Sequence, residues 1–470
     1  MSGDVLLSAT RSVCPECLRV VDAFRVQRGE DVVLRKGCPE HGWFEATLWR
    51  GEPPHGSWKN VKTPSYPRVP FTAVRDGCPW DCGLCPEHRQ HTCTALIEVT
   101  ERCDLRCAFC FADGGKKSAA DDLPVRAIRG SFEKLLVAGG PYNIQLSGGE
   151  PTLRDDLPEI VELGRSLGFD FIQVNTNGLR LAREPGYARV LKEAGVASVF
   201  LQFDGMKDAV YEKLRGRPLL KEKMTAVERC AECDLAVVLV PTVVPGVNAD
   251  CMGEVLRYGL RWAPTVRGVH FQPVSYFGRH PGVPGDAERI TIPEILRAIE
   301  TQTDGAIQAS HFKPPGCENA WCSFHGNFVL MEGGELHALT RHDATGAGAA
   351  PCRCKPEPAE AGAAASRRFV SRSWASPAKL SAAWKKEDLE GVRVASAGPS
   401  LGGWDALLDR ARTHSFCVSG MAFQDAWSLD LERLKDCCIH VVHPDGRIIP
   451  FCAYNLTDAR GRSVYRPGKR

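Results

Sequence analysis

The sequence predicts an α/β protein built around a partial (β/α)6 barrel, with a small metal-binding region before the barrel and a cysteine-rich region after it. Two observations carry this prediction. Six apolar, β-rich runs between residues 95 and 274 alternate with helical patterns, which indicates parallel βα units. The chain also holds 21 cysteines, many of them two or three residues apart. In a reducing compartment such spacing favours metal or iron–sulfur ligation over disulfides.

Composition narrows the class of protein. The chain has 470 residues, 43% of them hydrophobic, which is enough for several structural units with a sizeable core. A formal net charge of +2 indicates no nucleic-acid partner. Since no run of 18 apolar residues occurs, no transmembrane segment is expected, and the first residues do not form a signal peptide. We therefore expect a cytoplasmic protein.

Four regions follow from the motifs and from a Pro-rich linker, "GEPPHGSWKNVKTPSYPRVP". Residues 1–66 form an N-terminal metal-binding domain, rubredoxin-like or zinc-ribbon-like. Residues 67–96 form an auxiliary iron–sulfur segment, and residues 97–310 form the barrel. Residues 311–470 form a C-terminal auxiliary-cluster domain, within which the Ala/Gly/Pro-rich stretch 344–366 is expected to be an exposed loop.

The N-terminal region contains the motifs "VCPEC" and "GCPEH". Cys14 and Cys17 are followed about twenty residues later by Cys38 and His41. A CxxC and CxxH pair fits a small tetrahedral site for one zinc or iron ion. So small a region has little core of its own, so the ion would supply folding energy.

A group of four cysteines comes next. Cys78, Cys82, Cys85 and Cys93 offer four thiolates, enough to saturate a [4Fe-4S] cluster. A structural zinc ion is the alternative. Because nine residues separate Cys93 from the next cysteine, we expect this cluster to lie close to the following group and to relay electrons to it.

A group of three cysteines follows the first barrel strand. Cys103, Cys107 and Cys110 have the spacing C-x3-C-x2-C. Three thiolates can hold three irons of a [4Fe-4S] cluster and leave the fourth iron open, and an open position is typical of a reactive metal site. A structural zinc loop is the alternative.

This loop resembles that of the radical S-adenosylmethionine (SAM) superfamily, in which the open iron chelates SAM and the cluster splits it to a 5′-deoxyadenosyl radical. The resemblance makes these three cysteines catalytic and places Phe109 beside the adenine. The "SGGEP" after the second strand resembles the motif that binds the SAM amino group. Further polar residues follow the later strands, where a barrel has its active site. The expected SAM-binding residues are Phe109, Gly148, Gly149, Glu150, Asn177, Gln202, Asp204 and Gln272.

The C-terminal region supplies further cysteines. Cys317 and Cys322 lie in "GCENAWC", and Cys438 and Cys452 flank "HPDGR", a turn between two strand-like runs. We expect these four to hold a second auxiliary cluster. Whether Cys437 replaces Cys438, and whether Cys352 or Cys354 takes part, stays open.

The strings "GCPWDCGLCPEHRQHTC", "CCIHVVHPDGRIIPFCAYN" and "SGMAFQDAW" resemble the multi-cluster radical SAM group that includes archaeal tetraether lipid synthase and dihydropterin methyltransferase-like proteins. The resemblance implies one mononuclear metal site, three cubane clusters, SAM, a small-molecule or lipid substrate, and an external reductant of the ferredoxin or flavodoxin type. It favours C–C bond formation or alkylation at an unactivated carbon. Two alternatives are radical insertion of sulfur or selenium, and an electron-transfer or cluster-carrier protein without turnover.

Overall fold

The computed structural model describes residues 3–112, 114–115, 117–342, 356–376, 393–394 and 403–466. The β-strands are β1 (Val5–Val13), β2 (Val20–Arg28), β3 (Asp31–Cys38), β4 (Gly42–Trp49), β5 (Lys62–Thr63), β6 (Thr94–Thr100), β7 (Asn143–Gly148), β8 (Ile172–Thr176), β9 (Ser198–Gln202), β10 (Ala236–Val240), β11 (Thr242–Val243), β12 (Val266–Pro273), β13 (Ser323–Leu330), β14 (Glu335–Ala338), β15 (Glu357–Pro358), β16 (Arg393–Val394), β17 (Ser415–Met421), β18 (Ile439–Val442) and β19 (Ile448–Pro450). The α-helices are α1 (Val125–Val137), α2 (Leu157–Ser166), α3 (Leu179–Arg183), α4 (Tyr187–Ala194), α5 (Asp208–Arg215), α6 (Leu220–Ala231), α7 (Met252–Arg261), α8 (Ile292–Gln302), α9 (Ala359–Trp374), α10 (Gly403–Thr413), α11 (Leu431–Lys435) and α12 (Phe451–Tyr454).

The N-terminal region is an antiparallel sheet in the order β1-β2-β3-β4. It packs on the rest of the protein through buried charged side chains. Arg25 donates to the Asp430 carboxylate at 2.7 Å, and Lys36 donates to the Ala426 carbonyl at 2.6 Å. Because these cations are buried and paired, the small sheet is held in one orientation against residues 426–430.

The six predicted barrel strands are confirmed. β6, β7, β8, β9, β10 and β12 are neighbours in that order, and each pair is parallel. One face of each strand is apolar and buried under the surrounding helices, as Ile144, Val174, Leu201 and Val269 show. Among the described residues, no helix is both long and apolar enough to cross a membrane.

The C-terminal region extends this sheet at both edges. β18 pairs in parallel with β6, and β17 pairs in parallel with β12. β13 then runs antiparallel to β17, and β19 runs antiparallel to β18. The predicted turn at "HPDGR" therefore connects β18 to β19. The six-stranded sheet thus gains one parallel strand at each edge from a segment more than 100 residues downstream of β12.

The prediction that residues 344–366 form an exposed loop is partly wrong. Residues 343–355, which include Cys352 and Cys354, lie outside the described part of the chain, but residues 359–374 form helix α9. Alanine is the strongest helix former. The small residues also allow close packing, since a Cβ on Gly362 would lie 2.5 Å from the Gly316 carbonyl oxygen. The Ala- and Gly-rich composition that predicted a loop therefore forms a closely packed helix.

The pairing of β12 with β17 leads to a stability prediction. A Cβ on Gly268 would lie 2.0 Å from the Cys417 carbonyl oxygen. We expect Gly268→Ala to lower the free energy of unfolding by about 1–3 kcal/mol, because the two backbones must move apart. Denaturant unfolding of the full-length protein measures the change.

Gly130→Ala in α1 is the matched control for this prediction. A Cβ there meets nothing within 4 Å, and alanine favours a helix over glycine by about 0.5–1 kcal/mol. The control should therefore be neutral or slightly stabilising. Equal unfolding free energies for the two variants would contradict the close approach of β12 and β17.

Candidate active site and metal centres

The loop after β6 carries the three cysteines of the expected catalytic cluster. Cys103, Cys107 and Cys110 are half-buried. Cys110 and Arg279 exchange backbone hydrogen bonds of 3.0 and 2.9 Å, and the Arg279 side chain donates to the Cys107 carbonyl at 2.9 Å. The segment that follows β12 therefore fixes the far end of this loop.

The donor set suits a cluster better than a single ion. The sulfurs of Cys103, Cys107 and Cys110 are not all within 4.8 Å of one another, whereas ligands of one ion would be. Burial raises the pKa of the Cys103 thiol to about 12, so bound metal would have to displace its proton. Three thiolates leave one iron of a cubane without a protein ligand, and the residues present fit the cluster that the sequence predicts.

A buried arginine lies against this thiolate group. Arg215 is fully enclosed and pairs with Asp204 through contacts of 2.8 and 2.7 Å. Its guanidinium also interacts with the side chain of Cys107. A fixed positive charge here offsets the negative charge of a thiolate-bound cluster.

The two glycines of "SGGEP" allow a close backbone approach. A Cβ on Gly148 would lie 2.1 Å from the Thr100 carbonyl oxygen, and one on Gly149 would lie 2.1 Å from that of Arg102. Gly148 also has φ +122°, a conformation that side-chain-bearing residues rarely adopt. The end of β7 therefore packs directly on the backbone that enters the cysteine loop.

Glu150 is already occupied by protein donors. Its buried carboxylate accepts hydrogen bonds from the Thr152 amide at 3.1 Å, the Thr152 hydroxyl at 2.6 Å, the Thr176 hydroxyl at 2.6 Å and the Asn177 amide at 2.7 Å. Burial raises the pKa of this carboxyl, and the hydrogen bonds oppose that effect. Glu150 thus ties the end of β7 to the end of β8, and Oε2, with one protein donor, keeps acceptor capacity for a ligand.

Three other residues expected to bind SAM also make protein contacts. Asn177 donates to Asp104 in the cysteine loop at 2.7 Å. Gln202 donates to Asp204 at 2.6 Å and accepts from Lys223 at 2.9 Å. Burial lowers the pKa of Lys223 to about 8. These contacts make Asn177, Gln202 and Asp204 a supporting network for the loop.

Two cavities with a shared wall lie on the inner face of the strands, and the upper one reaches the loop. The upper cavity, about 110 Å³, is lined by Phe109 and Cys110, and the lower cavity, about 330 Å³, extends away from the loop. Phe109 also packs edge-on against Tyr276 at 5.8 Å. The two cavities share five lining residues, Gln145, Phe200, Gln272, Phe423 and Ile439.

The strand face opposite the apolar core carries several polar residues in the middle of the strands, beside apolar ones such as Phe200 and Val238. Its polar residues include Gln145, Gln173, Asn175, Ser198, His270, Gln272 and Ser419. Of these, sequence reasoning assigned only Gln272 to the site, because it considered the strand ends. The sequence signal for the others was a strict alternation of apolar and polar residues within the strands, as in "NIQLS" and "VHFQP". A strand with apolar packing on both faces would instead be apolar throughout.

Most of these polar groups pair with one another. Gln145 donates to Gln173 at 2.8 Å, and His270 is 2.9 Å from the Ser419 hydroxyl. The Asn175 side-chain oxygen is the exception: it is buried at the upper cavity and accepts no hydrogen bond from the described residues. A buried acceptor without a donor is costly, so a ligand with an N–H or O–H group fits this position.

The N-terminal motif residues come together as a compact set. The ligand atoms of Cys14, Cys17, Cys38 and His41 all lie within 4.8 Å of one another. The sulfurs of Cys17 and Cys38 are 3.9 Å apart, and the Cys38 sulfur is 3.4 Å from His41 Nδ1. These spacings fit one tetrahedral ion with metal–sulfur bonds of about 2.3 Å.

Contrary to the sequence prediction, Cys93 does not lie with Cys78, Cys82 and Cys85. Its sulfur lies within 4.8 Å of those of Cys317 and Cys438, and none of Cys78, Cys82 or Cys85 belongs to that set. The reason is sheet pairing: Thr94 of β6 is opposite Ile439 of β18, so the preceding residues, Cys93 and Cys438, are neighbours too.

Cys93 is also far from the catalytic loop. It precedes β6, whereas Cys103 follows it, and the seven residues of β6 are extended. At about 3.3 Å per residue, the two ends of the strand lie about 20 Å apart. The expectation that a short sequence separation brings Cys93 close to the catalytic cysteines is therefore wrong.

The remaining cysteines form two further groups. Cys78, Cys82 and Cys85 line one small cavity beside Lys435. Cys322, Cys437 and Cys452 are near one another, because a charge on Cys322 raises the pKa of both other thiols and a charge on Cys452 raises the pKa of Cys437. The expected C-terminal set is therefore divided: Cys438 lies with Cys317, whereas Cys437 lies with Cys322 and Cys452.

Comparisons with known proteins agree with this site. Residues 97–259 match the model of the radical SAM superfamily, and residues 6–50 match that of the HMPTM N-terminal zinc ribbon domain. The 7,8-dihydro-6-hydroxymethylpterin dimethyltransferase of Methanocaldococcus jannaschii is 34% identical over 473 residues, covering 95% of this chain and 93% of that protein. The probable GTP 3′,8-cyclase of Methanothermobacter thermautotrophicus is 34% identical over 170 residues, covering 34% of this chain and 52% of the cyclase.

Solved structures match over less than half of the chain. SuiB of Streptococcus suis bound to its precursor peptide SuiA has a TM-score of 0.39 at 14% identity, covering 46% of each chain. The structure of anSMEcpe with bound AdoMet has a TM-score of 0.37 at 18% identity, covering 45% of this chain and 59% of that one. On its sequence similarity over nearly the full length of both proteins, this chain belongs to the radical SAM superfamily, within the family of the M. jannaschii dimethyltransferase, and is a radical SAM enzyme.

Proposed function

We propose that this enzyme alkylates a reduced pterin, or a heterocycle of similar chemistry, by forming a bond from carbon to a one-carbon unit. The observation that carries the proposal is the 34% identity to a pterin dimethyltransferase over 95% of this chain and 93% of that protein. Similarity of this extent includes both cysteine-rich ends as well as the barrel.

The wall shared by the two cavities favours a flat polar heterocycle over a lipid chain. Apolar side chains line much of the lower cavity, but the shared wall carries the carboxamides of Gln145 and Gln272. Asn175 adds an acceptor without a protein donor. The rings of Phe200 and Phe423 offer stacking surfaces. Carboxamides can pair with the amide-like edge of a pterin while the aromatic rings contact its faces.

The proposed chemistry assigns roles to the protein's own side chains. When bound, the cluster and SAM supply a 5′-deoxyadenosyl radical, which can remove a hydrogen atom from a carbon that acid–base chemistry cannot activate. A second SAM molecule would supply the methyl group and leave as S-adenosylhomocysteine, and the external reductant would supply one electron for each of these two steps. Cys103, Cys107 and Cys110 hold the cluster, and Arg215 balances its charge. The upper cavity, which Phe109 and Cys110 line, would hold the substrate carbon beside the loop.

Reductive SAM cleavage consumes an electron, so we propose an external donor of the ferredoxin or flavodoxin type, in a reducing compartment such as the cytoplasm. The two cysteine groups Cys78/Cys82/Cys85 and Cys322/Cys437/Cys452 are the proposed auxiliary iron–sulfur sites. Neither is among the sets whose ligand atoms all lie within 4.8 Å, and such wider spacing supports clusters rather than single ions.

The direct test is turnover. The anaerobically reconstituted protein is incubated with SAM, dithionite and 7,8-dihydro-6-hydroxymethylpterin, and products are measured by mass spectrometry. We expect 5′-deoxyadenosine together with a pterin that has gained one or two methyl-sized units. If 5′-deoxyadenosine forms but the pterin stays unchanged or gains sulfur, the proposed reaction is wrong, although radical SAM activity stands.

Replacing the three loop cysteines tests the catalytic cluster. We expect Cys103→Ala, Cys107→Ala and Cys110→Ala in one chain to abolish 5′-deoxyadenosine formation, because no thiolate then holds the SAM-binding cluster. Iron and sulfide analysis should show a loss confined to that cluster. Residual 5′-deoxyadenosine at the wild-type rate would contradict the assignment.

Glu150→Ala tests the carboxylate that connects β7 and β8. Four donors lose their acceptor, so we expect the SAM dissociation constant to rise by about ten- to hundredfold and the free energy of unfolding to fall by about 2–5 kcal/mol. Isothermal titration and denaturant unfolding measure the two effects.

Thr152→Val is the control for Glu150→Ala. It removes one hydroxyl donor to the carboxylate and keeps the carboxylate in place. We expect a loss of about 1 kcal/mol in unfolding free energy with SAM affinity unchanged. Wild-type SAM affinity in Glu150→Ala would show that this carboxylate has no part in the SAM site.

A further inference from the structure

The lower cavity ends at a compact group of buried donors that the proposed reaction does not use. Cys93, Cys317 and Cys438 are all fully buried, and their sulfurs lie within 4.8 Å of one another. Beside this set lies the carboxylate of Glu318, whose Oε2 is 2.8 Å from the Cys317 sulfur and 3.5 Å from the Cys438 sulfur. This carboxylate is not among the atoms that all lie within 4.8 Å of one another, so a metal ion held by the three sulfurs would have to draw it closer. Cys93, Cys317 and Glu318 all line the lower cavity.

The surrounding structure holds these donors firmly. The Cys93 amide donates to the Cys438 carbonyl at 2.8 Å, which continues the pairing of β6 with β18. The Ser323 hydroxyl donates to Oε1 of Glu318 and leaves Oε2 turned toward the sulfurs. Lys62 donates to the Glu318 carbonyl at 2.6 Å and brings a positive charge to the site.

We propose that Cys93, Cys317 and Cys438 form a metal centre at the end of the lower cavity, with the Glu318 carboxylate as its one oxygen ligand. The sulfurs of Cys317 and Cys438 are 3.1 Å apart, close enough to be ligands of the same metal ion. A thiophilic metal converts the same groups into ligands. Zinc and iron both accept this mixture of sulfur and carboxylate oxygen.

This centre is distinct from the catalytic one. The length of β6, about 20 Å, separates it from Cys103. Because Cys93, Cys317 and Glu318 all line the lower cavity, the metal would face that cavity through sulfur and oxygen ligands.

The first experiment measures metal and sulfide in the full-length reconstituted protein. The variant carries Cys93→Ser, Cys317→Ser and Cys438→Ser together. We expect the loss of one zinc or iron ion per chain, or of four irons and four sulfides. Either loss supports the donor set and tells a single ion from a cluster. Unchanged metal and sulfide content in a folded variant would overturn the proposal.

The second experiment isolates Glu318 and avoids the risk that the triple variant fails to fold. Metal release to a chelator is followed over time in Glu318→Gln, Glu318→Cys and Glu357→Gln. We expect release from Glu318→Gln to be about tenfold faster or more than from the wild type, because an anionic ligand is lost, by analogy with losses measured around metal sites. Glu318→Cys, which supplies a fourth thiolate, should release its metal no faster than the wild type.

Glu357→Gln is the matched control, because Glu357 is an exposed residue that lines the same cavity. It should release metal at the wild-type rate. Wild-type release from Glu318→Gln would overturn the role of Glu318 as a ligand. Since metal release is measured without turnover, the result is independent of whether a pterin is the substrate.

Discussion

The parallel pairing of β18 with β6 is the constraint on which the arrangement of the metal sites depends. It places Cys438 beside Cys93 and fixes the positions of the neighbouring Cys437 and His440. His440 in turn lies 3.2 Å from His88, which joins the segment before β6 to the same edge. A strand from the C-terminal region thus assembles donors that are more than 300 residues apart in the chain.

The extended strand β6 separates the three-cysteine loop from Cys93. The catalytic loop lies at the carboxyl end of the strand, as in other parallel barrels, whereas Cys93 lies at the amino end. The strands between them carry several polar side chains on their inner faces. The loop lines the upper cavity, Cys93 lines the lower cavity, and the two cavities share part of their walls.

Several residues that were expected to bind SAM also hold the cysteine loop in place. Glu150 joins the ends of β7 and β8, and Asn177 donates to Asp104 in the cysteine loop. Asp204 holds Arg215, which in turn interacts with Cys107. Such contacts restrict the loop before any ligand binds. Pre-organisation of this kind lowers the entropic cost of holding a reactive geometry.

Much of this protein was determined by local sequence. The six barrel strands, the three-cysteine loop, the "SGGEP" turn and the N-terminal set Cys14, Cys17, Cys38 and His41 follow from short-range patterns, because each motif is built within one or two adjacent segments. Only the tertiary structure decided which thiols meet in the other groups, since Cys93 joins Cys317 and Cys438 through strand pairing across the sheet edge. Sequence distance was misleading there because an extended strand separates neighbouring residues, while sheet pairing brings distant ones together.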